Sequence, residues 1–318
     1  MTSRLESLSS VSTVVADTGE IDMIRRFKPV DCTTNPSLLL KAAQLDAYRN
    51  LVTDAVEWGR GRSGNVDEEV DAIADRLAVT FGRELLGIVP GYVSTEVDAA
   101  LSFDTAGTID KAHSLIEQYR ELKVPTERVL IKVASTWEGV EAARQLQSEG
   151  IKCNMTLIFS LAQAVACAEA GAFLVSPFVG RITDWYKANT GSNYAPDEDP
   201  GVLSVRSIYD YFKSHGLETV VMAASFRTTG QVEALAGCDR LTISPALLEE
   251  LDSAPGEVPQ ALDPEKSAAK RVEPVSADEV SFRWQLNEDA MATEKLADGI
   301  RRFHEDSVKL KSFIRTLV

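Results

Sequence analysis

Long apolar runs are missing from this chain of 318 residues. No stretch of about 18 apolar residues occurs, so no membrane-spanning helix is expected. The opening MTSRLESLSSVSTVV lacks the continuous apolar segment of a secretory signal. Basic charge is also in short supply. The 33 Lys and Arg stand against 48 Asp and Glu, giving a formal net charge of −15. That balance argues against nucleic acid and anionic membrane as partners, since sequence-independent binding to either needs a basic surface. A small anionic ligand stays open, because a few local arginines hold one phosphate.

Cysteine and histidine are sparse. Cys32, Cys153, Cys167 and Cys238 lie far apart with no CxxC pair. They read as core thiols in a reducing compartment, with no disulfide framework or zinc site. His113, His215 and His304 each stand alone in helix-like segments. No cluster has the short spacing of a catalytic metal site, so a metal-dependent mechanism is not expected. No G-x-G-x-x-G follows the first strand candidate, which disfavours an open doubly wound sheet.

What is there is an alternation. Short β-branched runs occur at 13–19, 30–36, 92–98, 128–135, 151–159, 172–181, 219–227 and 240–245. Helix-like stretches separate them, such as SLLLKAAQLDAYRNLVTDAVEWG and VDEEVDAIADRLAVTFGRELLG. Eight strands each followed by a helix predict an α/β fold, a (β/α)8 barrel. Barrels of this length form one domain, so residues 1–318 are expected to be a single unit. The proline- and charge-rich segment at 251–280 reads as a long surface connection. From about Phe282 to residue 318 helical period returns, with Leu296, Ile300, Phe303, Leu310, Phe313 and Ile314 as an apolar face. Extra C-terminal helices packed on the barrel are expected there.

In RVLIKVAST, residues 128–136, alternation gives two faces. Val129, Ile131 and Val133 suit helix packing, so Leu130, Lys132 and Ala134 point into the barrel. Other strands carry polar residues near their C-terminal ends, where barrel enzymes build their sites. These are Asp17, Thr33 and Asn35, then Ser94 and Glu96, Asn154 and Thr156, Ser176 beside Phe178, and Ser225 with Arg227. Each has a bland explanation when taken alone. An isolated lysine lies at an edge or snorkels; Asp17 before Thr18-Gly19 begins a turn; Asn35-Pro36 starts a helix; Glu96 and Asp98 sit solvated on a strand end. Their joint fall on the inward register of six or seven strands favours a site.

An amine free in water has a pKa of about 10.4, and desolvation lowers such values by up to several units. A fall of about three units, about 4 kcal/mol, makes much of an amine nucleophilic toward a ketone or aldehyde. The protonated imine that forms stabilises the carbanion left when a neighbouring C–C bond breaks. Asp17 and Glu96 are the inward acids available for the proton transfers. Asn35, Asn154 and Ser176 can hydrogen-bond a polyol. Ser225 and Arg227, with Arg181 as a second anion contact, can hold a terminal phosphate.

With those residues placed, the chain resembles the transaldolase family. The segments that carry the resemblance include VVADTG, TTNPSLLL, RVLIKVASTWEG, CNMTLIFSLAQA, LVSPFVGRITDWY and VVMAASFR, and the tail FRWQLNEDAMATEKLADGIRRF also fits. The resemblance implies Lys132 as the imine-forming lysine, Asp17 as acid/base for bond cleavage, and Glu96 with Thr156 around a catalytic water. It assigns Asn35, Asn154 and Ser176 to the dihydroxyacetone unit, and Ser225, Arg227 and Arg181 to the phosphate. It implies transfer of dihydroxyacetone from sedoheptulose 7-phosphate or fructose 6-phosphate to glyceraldehyde 3-phosphate or erythrose 4-phosphate. It further implies no metal or organic cofactor, and a cytoplasmic homodimer. Lyases resembling this family are shorter and carry tyrosine where this chain has Phe178. A lyase that releases free dihydroxyacetone, and a silent sugar-phosphate-binding barrel, are the competing expectations.

Overall fold

The computed structural model describes residues 2–318. Eight parallel strands close into a barrel in sequence order. They are β1 (Thr13–Asp17), β2 (Asp31–Thr33), β3 (Val93–Glu96), β4 (Val129–Ala134), β5 (Cys153–Ile158), β6 (Leu174–Pro177), β7 (Val220–Ala223) and β8 (Arg240–Ile243). Each predicted run contains one of them, so the barrel expectation holds.

The two faces of β4 are as alternation requires. Val129, Ile131 and Val133 join the large core between barrel and helices. Leu130 instead joins Val15, Leu174 and Met222 in a separate cluster. Three of these stand two residues before a polar one: Val15 before Asp17, Leu130 before Lys132, Leu174 before Ser176. Residues i and i+2 share a face, so this cluster is an apolar floor beneath a polar layer. Strand register then fixes which polar residues become neighbours. Glu96 pairs with Lys132 across β3 and β4, and Lys132 with Asn154 across β4 and β5.

All four cysteines are buried free thiols. Among the described residues, no helix is long and apolar enough to cross a membrane.

Four departures from the sequence expectation affect the outer layer. The stretch after Asn35 is two helices, Pro36–Ala43 and Arg49–Gly59, split by a 3-10 turn at Asp46–Tyr48. Leu45 adopts an extended backbone there, and the turn lets Val52, Ala55 and Val56 bury against the Val66–Leu86 helix. A helix at Arg4–Ser9 precedes β1, closed by a reciprocal cap between Ser3 and Glu6. His215 stands just past its helix, at the C-cap. The 251–280 connection is not purely surface. It buries Val258, Leu262 and Ala277 and contains the short helix Pro264–Ala268.

The C-terminal expectation is met by two helices, Glu279–Glu288 and Ala290–Arg315. Leu296, Ile300, Phe303, Leu310 and Ile314 are buried, and Phe313 is partly so. The long helix touches Pro36–Ala43 on one side of the barrel and β5 and the Gly180–Thr190 helix on the other. It therefore crosses the mouth at the C-terminal ends of the strands.

Candidate active site

A cavity of about 200 Å³ opens at that mouth. Apart from Ser94 and Glu96, the candidates named from the sequence line it: Asp17, Thr33, Asn35, Lys132, Asn154, Thr156, Ser176, Phe178, Arg181, Ser225 and Arg227. Glu96 lies directly behind Lys132, its Oε2 2.9 Å from Nζ, and both side chains are only 7% exposed. The bland readings of these two residues thus fail: the lysine does not snorkel, and the glutamate is not solvated. The contact is an ion pair without hydrogen-bond alignment, and Nζ also donates to the Thr34 carbonyl at 3.4 Å. Burial pushes the Glu96 carboxyl above its ordinary range, and the Lys132 charge opposes this only in part. Asp98 is not free either: Lys311 of the C-terminal helix donates to it at 2.7 Å.

The opposite wall is a chain of hydroxyls. Thr33 Oγ1 donates to Asp17 Oδ1 at 2.8 Å and lies 2.9 Å from Thr242 Oγ1. A threonine carries one hydroxyl proton, so Thr242 must be the donor to Thr33. Asp17 is thereby held in place at the cavity wall.

Asn154 is fully buried and fixed from both sides. Its Oδ1 accepts from Ser176 Oγ at 2.6 Å, and its Nδ2 donates to Ser94 Oγ at 3.0 Å. Asn35 satisfies both of its readings at once. Its Oδ1 accepts from the Leu38 N–H at 3.0 Å, capping the helix, while the residue also lines the cavity. Thr156 Oγ1 is buried and has no hydrogen-bond partner among the described residues. The next residue, Leu157, has φ +57°, and the β5–β6 register shifts between Met155 and Ile158. Such a bulge beside a site re-aims side chains at the cost of local strain.

The far end is cationic. Here strand alternation is not what places the residues, because β6 ends at Pro177 and β7 at Ala223. Phe178 sits one residue past β6, bridged to Ala224. Ser225 turns into the left-handed region at φ +61°. Its carbonyl accepts from the Gly180 N–H at 2.8 Å, and a Cβ at Gly180 would fall 2.5 Å from that carbonyl oxygen and 2.6 Å from Arg227 Cγ. Only glycine permits this approach. Arg227 is half-exposed and committed to Asp184 at 2.9 Å. Arg181 is more buried, and its Nη1 has no partner among the described residues. Burial, followed by the positive charges of Arg227 and Arg302, lowers its pKa from the ordinary arginine value.

Sequence reasoning gave no site role to the lining residues Thr33, Thr242 and Phe303. Thr33 was visible as a strand-end hydroxyl, but its partner Thr242 carried no signal beyond strand position. Phe303 was visible only as one position of an apolar helical stripe. Periodicity marks which face of a helix is buried, not whether it is buried against a wall or over a cavity.

The geometry has counterparts. The family model described as transaldolase/fructose-6-phosphate aldolase matches residues 14–314. A transaldolase of Agrobacterium fabrum is 59% identical over 315 residues, covering 99% of this chain and 98% of its own. One from Alteromonas mediterranea is 56% identical with the same coverage. One from Shewanella sediminis is 55% identical, again over 99% of this chain and 98% of its own.

Proposed function

The chain belongs to the transaldolase/fructose-6-phosphate aldolase family, and from that premise we propose how its residues carry the reaction. The activity is that of a transferase moving a dihydroxyacetone unit between a ketose phosphate and an aldose phosphate through a lysine Schiff base, in the non-oxidative pentose phosphate pathway. The observation that supports the residue-level reading is the buried Lys132–Glu96 pair at the end of a polar cavity.

Lys132 Nζ attacks the ketone carbon, forming a C–N bond as the carbonyl becomes a hydroxyl. Loss of that hydroxyl as water gives the imine. Glu96 exchanges the protons through a water held by Thr156, whose buried hydroxyl lacks a partner among the described residues. Asp17 takes the proton from the hydroxyl whose C–O becomes a carbonyl, and the adjacent C–C bond breaks with its electrons flowing into the imine. The aldose phosphate leaves. The enamine stays, its hydroxyls bonded by Asn35, Asn154 and Ser176, until an acceptor aldehyde reverses the sequence. Arg181, Arg227 and Ser225 hold the phosphate. Transfer is favoured over release of free dihydroxyacetone because Phe178 brings no ring hydroxyl to protonate the enamine.

The same reading takes 1–318 as one domain and the protein as a cytoplasmic homodimer. Exposed Val280 and Trp284, one turn apart on the Glu279–Glu288 helix, support association through an apolar face; light scattering tests it. For the activity, fructose 6-phosphate and erythrose 4-phosphate are expected to yield sedoheptulose 7-phosphate and glyceraldehyde 3-phosphate. Accumulation of free dihydroxyacetone without the seven-carbon product would sink the transferase reading.

A further inference from the structure

An enamine that waits for a second substrate is exposed to water. If its carbon takes a proton, the imine is restored; water then adds to the imine carbon and the C–N bond breaks. The products are dihydroxyacetone and the free lysine amine, with one water consumed. A transferase must make this slower than acceptor capture, and the fold has to supply the means.

The C-terminal helix is built to do so. It passes close to the strand ends because residue 299 is glycine: a Cβ there would fall 2.7 Å from the Leu157 side chain. Leu157 is the left-handed residue of the β5 bulge, next to Thr156. One turn on, at i+4, Phe303 lies on the same helix face. Its ring centre is 5.4 Å from Lys132 Nζ and 5.3 Å from the Arg181 guanidinium. It lines the cavity while only 7% exposed. Behind it, Leu296 and Ile300 pack with Leu157, Phe159 and Phe178 into an apolar cluster distinct from the main core. The helix is tied at both ends. Trp185 Nε1 donates to Glu294 at 2.6 Å, and Lys311 Nζ bridges Asp98 at 2.7 Å and Asp71 at 3.0 Å. A ring delivered by an anchored helix is a fixed wall, not a flap.

We propose that Phe303 is a positioning residue whose ring excludes water from the enamine on Lys132, so that the C-terminal helix helps decide between transfer and release. The proposal rests on the imine reading of Lys132. It adds a second apolar wall to Phe178, supplied from outside the strand ends that carry the rest of the site.

The readout is the ratio of free dihydroxyacetone to transfer product, with fructose 6-phosphate as donor and limiting erythrose 4-phosphate. This ratio does not depend on how much enzyme is folded. Phe303→Ala is expected to raise it about tenfold, the change that a barrier difference of about 1.4 kcal/mol brings. Phe303→Leu, which keeps the apolar bulk, is expected to stay near wild type. If the alanine variant cannot be purified folded, Phe303→Gln leaves a smaller void than alanine while bringing a polar amide, and the ratio is again expected to rise. An unchanged ratio in Ala or Gln overturns the proposal, as does an equal rise in Leu. Borohydride trapping of the same samples separates the two levels. Wild-type protein that forms no adduct at Lys132 removes the underlying reading, whereas trapped variants with an unchanged ratio remove only the role of Phe303.

Discussion

The barrel buries one acid–base pair at each end, and on the mechanism proposed above the two have opposite uses. At the bottom, Arg240 Nε lies 2.8 Å from Asp31 Oδ2, while Oδ1 accepts from the Tyr92 N–H at 2.7 Å. The guanidinium lies 5.2 Å from the Tyr92 ring centre and 5.6 Å from that of Phe173, so aromatic rings plug the space around it. At the top, Lys132 and Glu96 are as deeply buried but border an open cavity. Desolvation raises the carboxyl pKa of Asp31 and of Glu96 alike. A perturbed carboxyl therefore does not mark the site. Room for a reactant beside the pair does.

The contrast is broken most sharply by removing the lysine. Lys132→Met is expected to cut kcat by at least about 10⁴-fold, as loss of a covalent nucleophile does. The protein should stay folded, checked by steady-state kinetics beside circular dichroism. Asp31→Ala should do the reverse. It strands a buried arginine, so urea denaturation is expected to show a loss of about 3–5 kcal/mol, while the folded protein keeps its kcat. A catalytic collapse in Asp31→Ala or a stability collapse in Lys132→Met would erase the distinction.

Glu96→Gln is expected to lower kcat by about 10²–10³-fold, in the range of general acid–base assistance. Its raised pKa has a kinetic sign. The carboxyl holds its proton at a pH where a free glutamate, ordinary value 4.5, is already ionised. If the ionised form is needed, kcat falls earlier on acidification than an exposed glutamate would dictate, and the Gln variant loses that acid limb. A limb that survives the substitution belongs to another group.

The smaller effects lie at the cationic end, proposed to hold the phosphate. Arg227→Ala is expected to raise KM for phosphorylated substrates by about tenfold or more, the loss of a charge-assisted contact of about 1.5–3 kcal/mol. Unphosphorylated sugars should be nearly unaffected. Asp184→Asn, which frees Arg227 from a half-exposed partner, is expected to lower that KM by a few-fold, in line with the modest worth of exposed pairs. An increase would mean that Asp184 orients the arginine instead of competing for it.

How much of this the sequence carried depends on the kind of constraint. The strands and the inward face of Lys132 were legible because period-2 alternation is strict within a strand. Glu96 was nameable but its burial was not, since a strand end looks the same whether capped or open. Ser225, Arg227 and Phe178 were assigned to the site through strand spacing, yet they lie beyond the strand ends. They reach it because Gly180 and the left-handed Ser225 bring two loops together. The Thr33–Thr242 link was hidden because it joins residues 209 positions apart. Phe303 was hidden because helical period cannot say what lies beneath the helix.

The central claim is that Lys132 forms the imine. Incubation with fructose 6-phosphate and borohydride, followed by peptide mass mapping, tests it directly. A reduced dihydroxyacetone adduct on Lys132, lost in Lys132→Met, is the predicted result. An adduct on any other residue, or none at all in protein that still transfers, would contradict it.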